Sequence, residues 1–182
     1  MFEYALLSRK SVIALTITLF ASPTAVHAEL IGPTDRIQLR IHGQISQHCA
    51  MGSPGSVDFG DLTRTGVSAE VRVPFDCNVP FDVRVDASNG ALANLNAVDA
   101  GPFARSLPYT LDVTVPVRRP SRGVVNHSFD SRDLRGSQTL SSGGGIALDG
   151  MTLRVALGRP ASEAGLLAGD YSEMIIISVS PS

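Results

Sequence analysis

The stretch that most constrains this chain is its last, Ala168-Gly169-Asp170-Tyr171-Ser172-Glu173-Met174-Ile175-Ile176-Ile177-Ser178-Val179-Ser180-Pro181-Ser182. A turn at Ala168-Gly169-Asp170 leads into a strand dominated by β-branched residues, which fit a pleated, buried surface. Met174 to Ile177 is apolar on both parities, so both faces of this strand are expected to be covered. Left open, so apolar a strand is an aggregation site. The fold question is therefore which residues flank it: ordinary core strands of the same chain, or backbone from elsewhere.

Residues 1–28 read as a secretory signal. Arg9 and Lys10 supply the positive start, Ser11 to Ala21 is the apolar core, and Val26-His27-Ala28 is the small-residue cleavage site. The apolar part is shorter than the ~20 residues of a membrane span, which argues against an uncleaved anchor. Its removal leaves enough chain for one domain with its own core. It takes Arg9, Lys10 and Glu3 with it, so the formal charge of −2 becomes one unit more negative. No basic block remains, and nucleic acid is not an expected partner. Lys10 is the only lysine, so the exported chain has none for a Schiff base, an isopeptide cross-link or a phosphate loop.

Two cysteines remain, Cys49 and Cys77. Export makes a disulfide between them the expected state, and chain entropy assigns it roughly 3–4 kcal/mol. The alternative, a reactive thiol or metal-ligand pair, has only His48 adjacent to support it.

Alternation of apolar and polar residues marks the strands. Ile37, Leu39, Ile41, Ile45 and Cys49 share one parity over a stretch twice the usual strand length, which suggests two extended pieces hinged at Gly43. Val57 to Gly60 reads as a short strand and turn. Val67 to Cys77 is the clearest strand, with Phe81, Val83 and Val85 as its expected hairpin partner. Ala87 to Ser106 is a long connection. Leu107 to Val117 alternates over a long strand, Arg118 to Ser142 is polar with a possible strand near Val124-Val125, and Met151 to Leu157 alternates again. Ser162 to Ala168 suggests one helical turn. No helical period runs for three turns and no repeat is evident, so six to eight strands separated by Gly/Pro turns predict an all-β sandwich.

Catalytic and metal-binding signals are weak. His42 and His48 share parity but lie roughly 20 Å apart on an extended chain, and no metal site is expected. Gly143-Gly144-Gly145 lacks the Lys-Ser/Thr of a phosphate loop. There is no Gly-x-Ser-x-Gly elbow. Asp58 and Asp61 are expected in turns, since an acid–base pair needs a pocket and a raised pKa. Arg118, Arg119 and Arg122 around Pro120 suit either a solvated strand edge or an anion site. Asn126-His127-Ser128 matches the glycosylation sequon, which matters only in a eukaryotic source. No catalytic residue and no cofactor is expected.

Taken together, Cys49 before Phe59-Gly60, a strand reaching Cys77, Leu107-x-Tyr109-x-Leu111, Gly158-Arg159 and Ala168-Gly169-Asp170-Tyr171-Ser172-Glu173 ahead of the last strand resemble the spore coat protein U domain family. That family includes subunits of the archaic chaperone–usher pili of Gram-negative bacteria, and the likeness covers Ile37 to Val179. Glu173 stands where the family shows Asp, no Trp is present, and Ala87 to Ser106 matches loosely. The resemblance implies an incomplete immunoglobulin-like β-sandwich completed by a donor strand. It divides the chain into a signal peptide (1–28), an N-terminal donor-strand extension (29–42) and a pilin-like domain (43–182). Ile37, Leu39 and Ile41 would be donor residues, with Gly43 to Cys49 the chain's own first strand; the alternative is one long first strand. Tyr171, Met174, Ile175, Ile176, Ile177 and Val179 would border the acceptor groove. Implied partners are a periplasmic pilus chaperone, an outer-membrane usher and neighbouring pilin subunits, with export through the periplasm to a surface fimbrium supporting adhesion and biofilm formation. Two other readings are a tip or minor adhesin subunit and, more remotely, a small secreted β-sandwich hydrolase.

Overall fold

The computed structural model describes residues 37–97 and 99–182. The signal reading (1–28) and residues 29–36 of the extension fall outside the described residues. The chain divides into two units, Met1–Gly43 and Gln44–Ser182. In the first, Ile37 to Gly43 form no strand, and Ile37, Leu39 and Ile41 are 95%, 80% and 87% exposed.

The second unit is all-β, built of antiparallel sheets. Its strands are β1 (Cys49–Met51), β2 (Ser68–Val73), β3 (Phe75–Cys77), β4 (Phe81–Ala87), β5 (Leu92–Ala93), β6 (Ser106–Leu107), β7 (Tyr109–Arg119), β8 (Ser121–Asp130), β9 (Gln138–Ser141), β10 (Ile146–Ala147), β11 (Met151–Leu157) and β12 (Ile175–Pro181). One sheet runs β1-β3-β10-β7-β11-β2, with β8 added on the far side of β7. The other runs β12-β4-β9, and β5-β6 form a short ladder. One hydrophobic core includes Val73, Phe75 and Cys77, the odd residues of β4, the odd residues of β7 from Tyr109 to Val117, and Met151 and Leu153. Phe75 and Phe81 meet edge to face at 4.9 Å, a favoured aromatic geometry.

The expected single strand from Val67 to Cys77 is two, β2 and β3, parted at Pro74. Opposite the break, Gly150 (φ 83°) separates β10 from β11, and a Cβ there would lie 3.0 Å from the Val73 carbonyl oxygen. Only glycine fits so close an approach at positive φ. Pro74 has no N–H, and its carbonyl still accepts the Gly52 N–H at 2.8 Å. The disulfide joins Cys49 and Cys77, which are directly paired across β1 and β3.

Several expectations are corrected. The chain's own first strand is not Gly43 to Cys49 but Cys49–Met51, and the long-first-strand alternative is not realised either; Ile45 is 88% exposed, so the apolar alternation ahead of Cys49 is not buried in this unit. Val57 to Gly60 is not a strand; Gly60 takes φ 63° in a turn. Phe81 to Ala87 does not pair with the preceding strand but crosses to the other sheet, between β12 and β9. The short strand expected near Val124-Val125 is present but runs for ten residues as β8, its ends hidden from hydrophobic patterning because most of its residues on both faces are exposed. Ser162 to Ala168 forms a turn without a helix.

Replacing Cys49 and Cys77 with Ser opens the loop that pins β1, whose only strand partner among the described residues is β3. The double variant is expected to lose about 3 kcal/mol in urea unfolding. It should behave like the reduced wild type.

Candidate functional site: an open groove between two strand edges

Backbone parity defines the site. In an antiparallel pair each residue turns its N–H and C=O either toward the partner or away from it, alternately. Ser88 N–H donates to the Met174 carbonyl and Ser182 N–H to the Pro80 carbonyl. The even residues of β12 therefore bond to β4, and Ile175, Ile177 and Val179 turn their N–H and C=O groups to the opposite edge. No strand pairs with that edge among the described residues. The same reasoning applies to β2. Leu157 N–H donates to the Val67 carbonyl, so Val67, Ala69, Val71 and Val73 face β11 through their backbone. Ser68, Glu70 and Arg72 turn their backbone groups outward.

Between these two edges runs a groove of about 810 Å³. Val71 and Val73 line it from β2, Ile175 and Ile177 from β12, and Tyr109, Leu111, Met151 and Leu153 form its base. Gly52 to Val57, which form no strand, also border it. The two sheets thus share a core that remains accessible along one long side.

Of the expected groove residues, Tyr171, Met174, Ile175, Ile176 and Ile177 all line this space, and Val179 packs against the core. Ile175, Ile177 and Val179 alternate as half-buried positions with exposed residues between them. The expectation that both faces of the last strand are covered is corrected, because Met174 and Ile176 are 63% and 52% exposed.

Glu173 fixes the entrance to β12. Its carboxylate accepts from the backbone N–H groups of Asn89 (3.0 Å), Ala91 (2.9 Å) and Met174 (2.8 Å), and from Asn89 Nδ2 at 3.3 Å. This one side chain satisfies the turn between β4 and β5 and ties it to the last strand. Charge-assisted bonds of this kind are shorter and stronger than neutral ones. Tyr171 Oη donates to the Leu167 carbonyl at 2.7 Å and so anchors the preceding loop.

Tyr109 sits at the base of the groove with its ring buried and its Oη without a hydrogen-bond partner among the described residues. Burial, with the charge of Glu173 adding to it, pushes its phenol well above the ordinary value near 10. The alternation of β7 predicts that this side chain is buried; only the packing sets the surroundings of its hydroxyl.

The remaining candidates have structural roles. Asp58 accepts from Gly60 N–H at 2.8 Å, and Asp61 from Thr63 N–H and Oγ1 at 2.9 and 2.8 Å. Those bonds to Thr63 hold the Asp61 carboxyl below its usual range, as in an Asx turn. His48 Nε2 lies 3.1 Å from Asp76 Oδ2 beside the disulfide. Among the described residues no group of His, Cys, Asp and Glu is placed to hold a metal. Arg119 lies against the backbone of Gly143, where a Cβ would meet its guanidinium, and Gly145 lies against the Val117 side chain.

No family model, no curated protein and no solved structure matches this chain.

Glu173→Ala leaves the Asn89 and Ala91 N–H groups without their acceptor. It is expected to cost about 1–3 kcal/mol and to raise hydrogen exchange at Asn89, Ala91 and Met174 before the rest of the core. Tyr109→Phe removes an unpartnered buried hydroxyl and is expected to raise the urea midpoint at pH 7. The sign of the pH effect follows from linkage: with the folded pKa raised, this contribution to stability is full below pH about 10 and lost as pH rises toward the folded value. Wild-type stability should thus fall above pH 10 more steeply than that of Tyr109→Phe.

Proposed function

We propose that this protein is a structural pilus subunit that polymerises by donor-strand complementation, the groove between β2 and β12 receiving an extended segment from a neighbouring copy. The observation that carries the reading is the combination of an apolar groove with two backbone edges that no strand pairs among the described residues. A strand laid there would find N–H and C=O groups of Ile175, Ile177 and Val179 along one side, and alternate side chains would enter the core. β-Augmentation works this way, with main-chain bonds giving affinity and side-chain pockets giving register.

The N-terminal extension has the matching pattern. Ile37, Leu39 and Ile41 are exposed and alternate with polar residues at the period of a strand. Their spacing, about 6.6 Å between alternate residues, equals that of Ile175, Ile177 and Val179. Each such side chain contributes about 1.5–3 kcal/mol on full burial, enough in sum with the backbone bonds to favour a stable polymer. In this reading the fold is an incomplete immunoglobulin-like sandwich. A periplasmic chaperone occupies the groove before assembly, an outer-membrane usher exports the subunit, and the fibre supports adhesion and biofilm formation at the cell surface. The work is non-covalent and the protein is not an enzyme.

Deleting Glu29 to Ile41 tests the assignment. The truncated chain is expected to fold when co-expressed with such a chaperone yet form no polymer, measured by sedimentation and electron microscopy. Polymerisation at the wild-type level would reject the donor role of Ile37, Leu39 and Ile41.

A further inference from the structure

The chain has another long free edge, on the opposite margin of the larger sheet. Ser131 N–H donates to the Tyr109 carbonyl, and that pair continues the register of β7 with β8, in which Phe129 faces Leu111 and His127 faces Val113. The odd residues of β8 therefore spend their backbone bonds on β7. Arg122, Val124, Asn126, Ser128 and Asp130 turn theirs away from it. All five are exposed, and no strand other than β7 pairs with β8 among the described residues.

We propose that this edge pairs with the same edge of a second copy of the chain, antiparallel, about a two-fold axis at Asn126. The register follows from charge. With Asn126 opposite its own symmetry mate, Val124 meets Ser128, and Arg122 of each copy meets Asp130 of the other. Every residue in those pairs has an outward-facing backbone, so the parity that a hydrogen-bonded ladder demands is met. An isologous contact of this kind is self-complementary and closes at two copies. Arg122 also gains by it. Within one copy it lies directly opposite Arg118, a destabilising like-charge pair, and the carboxylate of the second copy would relieve that repulsion. Asp130 bonds Arg132 through one oxygen, Oδ1, which leaves Oδ2 for Arg122. This contact is independent of the donor-strand groove and would join subunits side to side.

The test uses the chain from Glu29 onward carrying Ile37→Asp, Leu39→Asp and Ile41→Asp, which removes the proposed donor contact. Sedimentation velocity is expected to give a dimer. Adding Asn126→Pro removes an outward N–H that β7 does not use, a position where an edge strand tolerates proline, and should give a monomer with unchanged circular dichroism. In the same background Arg122→Asp and Asp130→Arg should each be monomeric alone, while an equimolar mixture of the two should form a heterodimer. A monomer before Asn126→Pro is added, a dimer that survives it, or a charge-swapped mixture that stays monomeric would overturn the proposal. Failure of the donor-strand reading shows in the polymerisation of the chain lacking Glu29 to Ile41, whereas failure of the edge contact shows in the response to Asn126→Pro and in the charge-swapped mixture.

Discussion

A β-strand can satisfy only half of its backbone polar groups through one neighbour, and the structure turns on this arithmetic. Where a second neighbour exists, as for β7 between β8 and β11, the strand lies deep in the core. Where none exists among the described residues, as for β2 and β12, the odd or even half of the backbone is left facing outward. Because the free edges of β2 and β12 flank the same groove, the apolar core between the sheets is reachable there. The donor-strand reading of this protein begins from that side of the molecule.

The rest of the fold holds those edges in place. The disulfide fastens β1 to β3 just beyond the end of β2. Glu173 binds the turn after β4 to the first residues of β12, so the last strand enters the sheet in one register. Pro74 and Gly150 break the larger sheet at one level, and β1 lies beside the β3 half while β2 keeps its outer edge free. The exposed apolar residues of the extension, Ile37, Leu39 and Ile41, have the strand period without a strand. A segment of that composition left in water is costly, which is the physical argument for a destination elsewhere.

Much of the fold was legible wherever one face of a strand is buried. The alternation from Val67 to Cys77, from Phe81 to Val85, from Leu107 to Val117 and from Met151 to Leu157 marks real strands because the core selects every second residue. Of β8 only the stretch near Val124-Val125 is legible, because the core selects almost none of its residues; only Phe129 is buried. The gap at Pro74 was masked by an unbroken alternation on both sides of it. The bonds made by Glu173 and the surroundings of Tyr109 could not be read there, since they depend on Asn89, Ala91 and a groove assembled from distant segments.

By itself the amino-acid order determined an all-β chain, a cysteine pair able to close a loop, a strongly apolar last strand and an apolar alternation ahead of Cys49. These are local properties, set by side-chain period and residue chemistry. The tertiary structure alone decided that Phe81 to Ala87 crosses to the second sheet, that β12 pairs with it on one side only, and which half of each edge strand's backbone faces outward. Pairing joins residues far apart in the chain, and the parity of a hydrogen-bonded ladder exists only once the partner is known.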